Sequence, residues 1–163
     1  MRRTAIRFAQ ISDADALTQL INAAFVVERP FIGGDRVDRE GVLQYLGTGQ
    51  FLLLEESNAL VGCVYLENQT DRMYLGLLSI EPSQQGKGLG RKLMAEAEEY
   101  ARNSGCLAMD LRTISPRTDI QPFYEHLGYT VTGISPMPAD AVMKVPARFI
   151  HMSKPLQKAR SAR

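Results

Sequence analysis

The chain has 163 residues, of which 45% are hydrophobic and 23% charged, a balance typical of one globular domain and unlike that of a disordered chain. Its net charge of +1 comes from the ends: without the six basic residues in 1–3 and 154–163, the body holds 13 basic and 18 acidic residues, which argues against a nucleic-acid-binding surface. No apolar run has the ~18–20 residues of a membrane span, so we expect no membrane partner. The spacing of the two cysteines suits neither a disulfide framework nor a metal site. We therefore expect a cytoplasmic protein that binds no metal.

The first half of the chain alternates strand and helix signals. In chain order the pattern predicts a strand (4–10), a helix that opens at Ser12–Asp15 and ends near Phe25, a polar segment (27–41), a short helix (42–46) and three strands (51–56, 60–68 and 72–80). The turn signal Ser57-Asn58 joins the first two of those strands. The third is almost continuously apolar, which predicts a place at the centre of the sheet.

The second half begins with a glycine-rich segment (81–90) and continues the alternation. It predicts a helix from about 88 to 103 ended by Gly105, a strand (106–113), a short helix ended by Gly128, and two closing strands (129–134 and 147–154). We therefore expect a mixed α/β fold with helices on both faces of one sheet. The expected organisation is a single domain over 1–153 and a basic tail over 154–163.

The glycine-rich segment is the first feature that points to chemistry. Gly86, Gly88 and Gly90 let the backbone approach a ligand closely, and the following helix adds the positive end of its dipole. This combination favours a phosphate or pyrophosphate, although a strand-to-helix turn without a ligand has the same composition. The Walker pattern is absent, and Arg91 stands where the dinucleotide fingerprint requires a glycine.

The segment resembles the cofactor loop of the GNAT acetyltransferases, whose signature is Gln or Arg, two residues, Gly, one residue, then Gly or Ala. Here it reads Gln85-Gly86-Lys87-Gly88-Leu89-Gly90, after the strand LLSI and Glu81-Pro82. The run DIQPFYEHLGY (119–129) resembles the late helix of the same family, and the similarity extends over most of residues 4–156. The resemblance implies an acyl-CoA N-acyltransferase fold, with a mostly antiparallel mixed sheet of six to seven strands flanked by about four helices.

The resemblance also implies acetyl-CoA as co-substrate, bound without a metal. The residues expected to bind it are Leu78, Ser79 and Ile80 on the strand and Gln85, Gly86, Lys87, Gly88, Leu89, Gly90 and Arg91 on the loop and helix. In the family an amide at a bulge of this strand holds the thioester carbonyl, and the matching residue here is Leu78. Such an amide stabilises the developing oxyanion.

Tyr124 matches the family tyrosine that protonates the departing thiolate, although a tyrosine on this helix can also serve only for packing. The general base is left open. Some relatives place a carboxylate on the central strand where Tyr74 stands here, and Glu67, Glu28, Asp35 or a water chain remain as alternatives. We assign none of them from the sequence.

Arg117 occupies the position at which many relatives carry an asparagine. We expect it to be an exposed loop residue, with contact to a CoA phosphate or a substrate carboxylate as the alternative. Substrate choice is expected in the segment 28–41, which is rich in charges, and in the proline-rich connection 134–147. Arginines of 28–41 beside an amine site would suit a substrate carboxylate, although these charges can equally pair with one another at the surface. The leading interpretation is direct acetylation of a small-molecule amine. Peptide or protein amines, a non-catalytic acyl-CoA-binding domain and a homodimer, which is common in the family, stay open.

Overall fold

In the computed structural model, which describes residues 3–157, seven strands form one sheet and four α-helices pack against it. The strands are β1 (Thr4–Phe8), β2 (Gln50–Glu56), β3 (Ala59–Gln69), β4 (Arg72–Ile80), β5 (Ala108–Ile114), β6 (Thr130–Pro136) and β7 (Arg148–Pro155). The helices are α1 (Ala14–Ala24), α2 (Arg39–Thr48), α3 (Leu89–Asn103) and α4 (Ile120–His126). Short 3₁₀ turns cover Ile11–Asp13, Phe25–Glu28 and Pro82–Gln84. The expected mixed α/β fold and its number of strands and helices are confirmed.

The sheet order is β1-β2-β3-β4-β5-β7-β6, which places β4 at the centre as its apolar run predicts. All neighbouring strands are antiparallel except β4 and β5. The β2–β3 hairpin turns at Ser57 and Asn58, whose φ angles of 50° and 67° lie in the left-handed region that two-residue hairpin turns require. The turn signal in the sequence is confirmed at these two residues.

The two faces of the sheet carry separate apolar clusters. One lies beneath α3 and α4 and includes Leu93, Met94, Ala97, Val64, Leu66 and Met109. The other lies beneath α1 and α2 and includes Leu17, Ile21, Val42, Phe51 and Leu53. Both cysteines are buried and unpaired, in agreement with their expected role as small apolar side chains.

The helix α3 begins and ends at the glycines that the sequence marks. Gly88 is its N-cap and Gly105 follows its end, and both have φ angles near +80°. The Cys106 amide donates to the Ala101 carbonyl at 2.9 Å, and the Gly105 amide donates to Arg102 at 3.0 Å. These bonds satisfy carbonyl groups that the helix end would otherwise leave unpaired. The helix therefore holds the glycine-rich segment at a fixed place beside β4.

β4 and β5 are paired only over the first three residues of β4, Arg72–Tyr74, and separate beyond that point. β5 continues to Ile114 with β7 as its partner, while β4 continues with β3 on its other side. Two central strands that share a base and then diverge leave a wedge-shaped opening between them. This opening is what positions the candidate site.

The last strand runs to Pro155, two residues beyond the expected domain boundary, and Lys154 is therefore part of the sheet. Leu156 is buried and its amide donates to the Leu107 carbonyl at 2.8 Å, because the chain end closes over the start of β5. The expected tail residues 158–163 lie outside the described part of the chain. Among residues 3–157, no helix has the length and hydrophobicity of a membrane span.

Candidate active site

A cavity of about 550 Å³ lies where β4 and β5 separate. We call it the β4–β5 cleft; residues from both strands, the loop before α3 and the helix α4 line it, including Gly76, Leu77, Leu78, Ile80, Gly86, Gly88, Leu111, Thr113, Phe123 and Tyr124. β5 offers no hydrogen-bond partner to β4 beyond Tyr74. The backbone groups on that edge of β4 are thus available to an extended ligand, in the manner of an added strand.

β4 has a bulge inside this cleft. Its register with β3 shifts between Cys63 and Tyr65, so that two β4 residues, Leu77 and Leu78, lie opposite one residue of β3. Leu77 has a φ of 54°, which a residue with a side chain adopts rarely. A bulge leaves one residue outside the regular ladder and re-aims the local backbone. The bulge that the resemblance implied at Leu78 is therefore present, and the role of the Leu78 amide stays a prediction.

The glycine-rich loop closes one end of the cleft. Gly86 and Gly88 have φ angles of 81° and 79°, and no heavy atom of residues 3–157 lies within 4 Å of where a Cβ would stand on either residue. Gly90 is packed instead, because the Phe123 ring lies 3.5 Å from its ideal Cβ position. The loop is anchored from below by the Gln85 side-chain amide, which donates to the Ile80 carbonyl at 3.2 Å. The open space above a left-handed glycine turn at a helix N-terminus suits an anion.

Most of the residues expected to bind acetyl-CoA line the cleft: Leu78, Ile80, Gln85, Gly86, Gly88, Leu89, Gly90 and Arg91. Ser79 and Lys87 are not among the lining residues. The Ser79 side chain is buried and its hydroxyl donates to the Leu77 carbonyl at 2.9 Å, while Lys87 Nζ donates to Gln84 at 2.9 Å. Lys92, which the sequence places near the loop, extends away from it to Thr4.

Tyr124 lies on α4 with 6% of its surface exposed and contributes to the cleft wall. Its ring contacts those of Phe123 and Tyr129, with centroids 5.2 Å and 5.9 Å away. Its hydroxyl forms no hydrogen bond with any residue that the structure describes. Burial raises the pKa of this phenol, so the group keeps its proton throughout the neutral range. It is therefore a proton donor without a partner of its own.

Arg117 is not the exposed residue that its loop position led us to expect. Only 13% of its side chain is exposed, and it donates to Glu28 at 2.9 Å and to both oxygens of Asp119 at 3.0 Å and 3.1 Å. The expectation was wrong because the partner Glu28 lies 89 residues away in the chain. Burial raises the pKa of Glu28, and the charge of Arg117 opposes that effect.

A second cavity of about 280 Å³ adjoins the cleft, and we call it the side cavity. Residues of β4, of β5 and of the turn after α1 line both cavities: Gly76, Leu77, Arg112, Thr113, Ile114, Phe25 and Glu28. The side cavity is further lined by residues that include Arg29, Arg36, Tyr45, Tyr74, Met137, Pro138 and Phe149. The bulge therefore lies where the two cavities meet. Leu77 lines both cavities, and Leu78 lines the cleft.

The side cavity is bounded by the two segments in which the sequence placed substrate choice. A β-bridge joins Ile32 to Met143, the Gly33 amide donates to the Val142 carbonyl at 2.8 Å, and the Lys144 amide donates to Phe31 at 2.8 Å. Residues from 28–41 and 134–147 thus form one wall, although more than 90 positions separate them. Their role in selecting a substrate stays a prediction.

The three carboxylates left open as general bases differ in placement. Glu28 lines both cavities, and Asp35 lines the side cavity and pairs with Arg29 at 3.3 Å. Glu67 lines neither cavity; it accepts a hydrogen bond from the Tyr65 hydroxyl at 2.7 Å, which lowers its pKa. Tyr74, at the position where relatives carry a carboxylate, lines the side cavity.

Sequence reasoning did not single out Arg112, Thr113 or Phe149. Arg112 Cζ lies 4.1 Å from the Phe149 ring centroid and 6.0 Å from that of Tyr74. Thr113 is 9% exposed, and its Oγ1 is buried without a hydrogen-bond partner among the described residues. The polar residues Asp110 and Arg112, which alternate with apolar ones on β5, were the signal available in the sequence. The position of Phe149 depends on the β5–β7 pairing and has no local signal.

The same architecture occurs in solved N-acetyltransferases. The ribosomal-protein-S18-alanine N-acetyltransferase from Escherichia coli superposes with a TM-score of 0.79 at 17% identity, covering 98% of this chain and 97% of that one. A putative acetyltransferase from Salmonella typhimurium, solved with its cofactor acetyl-CoA, gives a TM-score of 0.74 at 23% identity, covering 97% and 96%. At these identities the likeness shows the fold alone.

Sequence comparison defines the family. The model of the acetyltransferase (GNAT) family matches residues 14–129. An L-methionine sulfoximine/L-methionine sulfone acetyltransferase from Salmonella typhimurium is 32% identical over 143 residues, which cover 80% of this chain and 82% of that protein. The chain therefore belongs to the GNAT acetyltransferase family, and it is an N-acetyltransferase by type.

Proposed function

We propose that this protein transfers the acetyl group of acetyl-CoA to a primary amine of a small molecule, by direct attack while both substrates are bound. The observation that carries the proposal is the meeting of two cavities at one bulge. The β4–β5 cleft ends in a left-handed glycine loop, and the side cavity shares Leu77 of the bulge with it. One cavity per substrate is what direct transfer requires.

The residues of the cleft fit acetyl-CoA. Gly86 and Gly88 leave open space above the loop, and the α3 N-terminus lies beneath it, so that a pyrophosphate would meet backbone amides and a positive dipole. Arg91 lines the same end and adds a cation. The edge of β4 that β5 leaves unpaired suits the two amides of a pantetheine arm.

When bound there, acetyl-CoA supplies an activated acetyl thioester. The Leu78 amide at the bulge is the donor that we assign to the carbonyl oxygen as negative charge develops on it. As the amine nitrogen forms its bond to the carbonyl carbon, the carbon–sulfur bond breaks and the electron pair leaves on sulfur. Tyr124 then donates its hydroxyl proton to that sulfur, which its burial and free hydroxyl support.

The attacking amine must also lose a proton, and Glu28 is the carboxylate best placed to accept it. It lines both cavities, whereas Asp35 lines only the side cavity and Glu67 lines neither. Burial raises its pKa, and a carboxylate with a pKa closer to neutrality is a better proton acceptor in the transition state. The pairing with Arg117 at 2.9 Å holds the group in place.

A small acceptor is supported by the dimensions of the side cavity and by the wall that residues 31–33 form with 142–144. The Salmonella relative is named for two amino-acid derivatives, whereas the Escherichia coli structure is named for a ribosomal-protein alanine. A cytoplasmic location is part of the proposal, because both cysteines are free and acetyl-CoA is a cytoplasmic metabolite.

The test is thiol release from acetyl-CoA in the presence of three acceptor sets: amino acids, simple alkylamines, and peptides with free amino termini. The proposal predicts that the protein binds acetyl-CoA and turns over members of at least one of the first two sets. Turnover restricted to peptides would make the protein a peptide acetyltransferase. Acetyl-CoA binding without turnover on any acceptor would instead favour the non-catalytic interpretation.

Replacing Tyr124 with phenylalanine should lower kcat by about 10- to 100-fold and leave the dissociation constant of acetyl-CoA within about twofold. The ring and its contacts with Phe123 and Tyr129 are retained, and only the proton donor is lost. The measurement is steady-state kinetics at saturating acetyl-CoA and acceptor, combined with calorimetric titration of acetyl-CoA.

Tyr100→Phe is the matched control, since Tyr100 on α3 packs against Phe8 and lies outside both cavities. This control removes a hydroxyl without touching the assigned acid. Wild-type kcat in Tyr124→Phe would remove Tyr124 from the mechanism and leave it a packing residue.

A further inference from the structure

We propose that Arg112 binds a carboxylate of the acceptor, and hence that the acceptor is an α-amino acid rather than a simple amine. This inference rests on the proposed function, because it specifies the substrate of the same site. The argument has three parts: how the guanidinium is held, what it lacks, and where it lies relative to the reacting groups.

Two aromatic rings hold the guanidinium. Its Cζ lies 4.1 Å from the Phe149 centroid and 6.0 Å from the Tyr74 centroid, so it rests on the faces of rings from β7 and β4. A guanidinium that stacks on a ring keeps the N–H groups of its edges free, and two of them match the two oxygens of a carboxylate.

The guanidinium of Arg112 lacks an acidic partner. Among residues 3–157 no carboxylate forms an ion pair or a hydrogen bond with it, whereas Arg29 in the same cavity pairs with Asp35 at 3.3 Å and Arg117 pairs with Glu28 at 2.9 Å. An arginine that is held in place by rings and has no carboxylate paired with it among residues 3–157 is ready to bind one.

Its position then selects the kind of acceptor. Arg112 lines both cavities, so it lies where they meet, while Arg36 lines the side cavity and not the cleft. In an α-amino acid the carboxylate and the amino group are on the same carbon. The residue that binds the carboxylate must therefore lie close to the point where the amine meets the thioester. We place that point where the two cavities meet, and we call this place the junction.

Glu28 completes the charge pattern. It also lines both cavities and carries the negative charge that an incoming ammonium group prefers before it loses its proton. An unpaired cation and an anion at one junction match a zwitterion. A simple alkylamine would satisfy Glu28 and leave Arg112 without a partner.

The experiment compares Arg112→Gln with wild type on L-methionine, L-leucine and L-phenylalanine, and on their carboxamides. We expect wild type to favour acids over amides in kcat/KM, and Arg112→Gln to lose about 10- to 100-fold on acids while its rate on amides stays within threefold. Arg112→Lys should recover part of the loss, because it restores the charge without the bidentate geometry. Arg148→Gln, on β7 and outside both cavities, is the control for removing an arginine.

Binding of the same amino acids to the CoA-saturated protein, measured by calorimetry, separates this inference from the proposed function. If the amino acids bind to wild type but not to Arg112→Gln, and neither protein turns them over, Arg112 binds the carboxylate and the transferase function is refuted. Equal turnover of acids and amides by wild type, or unchanged kinetics in Arg112→Gln, would refute the binding of the carboxylate by Arg112. The transferase function would still hold in that case. Absence of both binding and turnover for every amino acid would also overturn it.

Discussion

Gly88→Val is expected to weaken acetyl-CoA binding on the order of 100-fold, which corresponds to about 2.8 kcal/mol. Gly88 has a φ of 79° at the N-cap of α3, and a β-branched residue adopts that conformation only at a cost. The loop would move to relieve the strain, and its amides would no longer face the pyrophosphate. The new side chain would also occupy the open space above the loop. Calorimetric titration of acetyl-CoA measures the effect.

Gly105→Val is the matched control at the opposite end of the same helix. Gly105 has a φ of 82° and, like Gly88, no heavy atom of the described part of the chain within 4 Å of its ideal Cβ position. The two substitutions should therefore lower the free energy of unfolding by similar amounts, and only the one at Gly88 should change acetyl-CoA affinity. Equal affinities in the two variants would show that the loop does not bind the co-substrate.

Glu98→Ala is expected to lower the free energy of unfolding by about 3 to 5 kcal/mol. Glu98 lies on α3 with 5% of its surface exposed, where it accepts hydrogen bonds from Lys154 Nζ at 2.7 Å and from the Tyr129 hydroxyl at 2.9 Å. Burial raises the pKa of Tyr129, and the negative charge of Glu98 raises it further. The Tyr129 hydroxyl therefore keeps its proton and remains a hydrogen-bond donor. Removal of the carboxylate leaves a half-buried ammonium and a buried hydroxyl without their acceptor.

Glu99→Ala supplies the comparison one residue further along the helix. The Glu99 side chain is 60% exposed and pairs with Arg102 at 3.4 Å, an arrangement that contributes less than about 1 kcal/mol. Urea denaturation of both variants measures the difference through the transition midpoints at constant slope. A loss below about 1 kcal/mol in Glu98→Ala would mean that the cluster of Glu98, Lys154 and Tyr129 does not stabilise the fold.

Much of the fold could be predicted because its signals are local. The run Met73–Ile80 is apolar on both faces, which only a central strand tolerates, and α3 carries a periodic apolar face between two glycines with left-handed φ angles. The loop from Gln85 to Gly90 was recognisable for the same reason, since its function depends on backbone conformation. Family resemblance then placed Leu78 and Tyr124 beside that loop, and both line the same cleft.

The rest of the site depends on contacts between distant parts of the chain. Arg117 is buried because Glu28 approaches it from the end of α1, and no pattern around residue 117 indicates that approach. Arg112 is held by Phe149 through the β5–β7 pairing and by Tyr74 across the strand separation. Side-chain chemistry in this site is therefore set by topology. The sequence alone could predict the glycine-rich loop but not which side chains meet where the two cavities adjoin.

The position of Glu28 also bears on the absence of a carboxylate at residue 74 of β4. Tyr74 stands where relatives carry the acid, and its ring lies beside Arg112. Glu28, from the turn after α1, supplies a carboxylate at the same junction from another element. An acceptor amine would thus meet an acid despite the substitution, so a tyrosine at position 74 is compatible with turnover.

The most direct test of the account is to follow the acetyl group by mass spectrometry. The intact chain is incubated with acetyl-CoA alone and then with the acceptor that releases thiol fastest. We predict that the mass of the chain stays unchanged in both samples, and that acetylated acceptor and free CoA appear in equal amounts only when the acceptor is present. An acetyl group on the chain that later moves to the acceptor, or thiol release without acetylated acceptor, would contradict direct transfer at the junction of the two cavities.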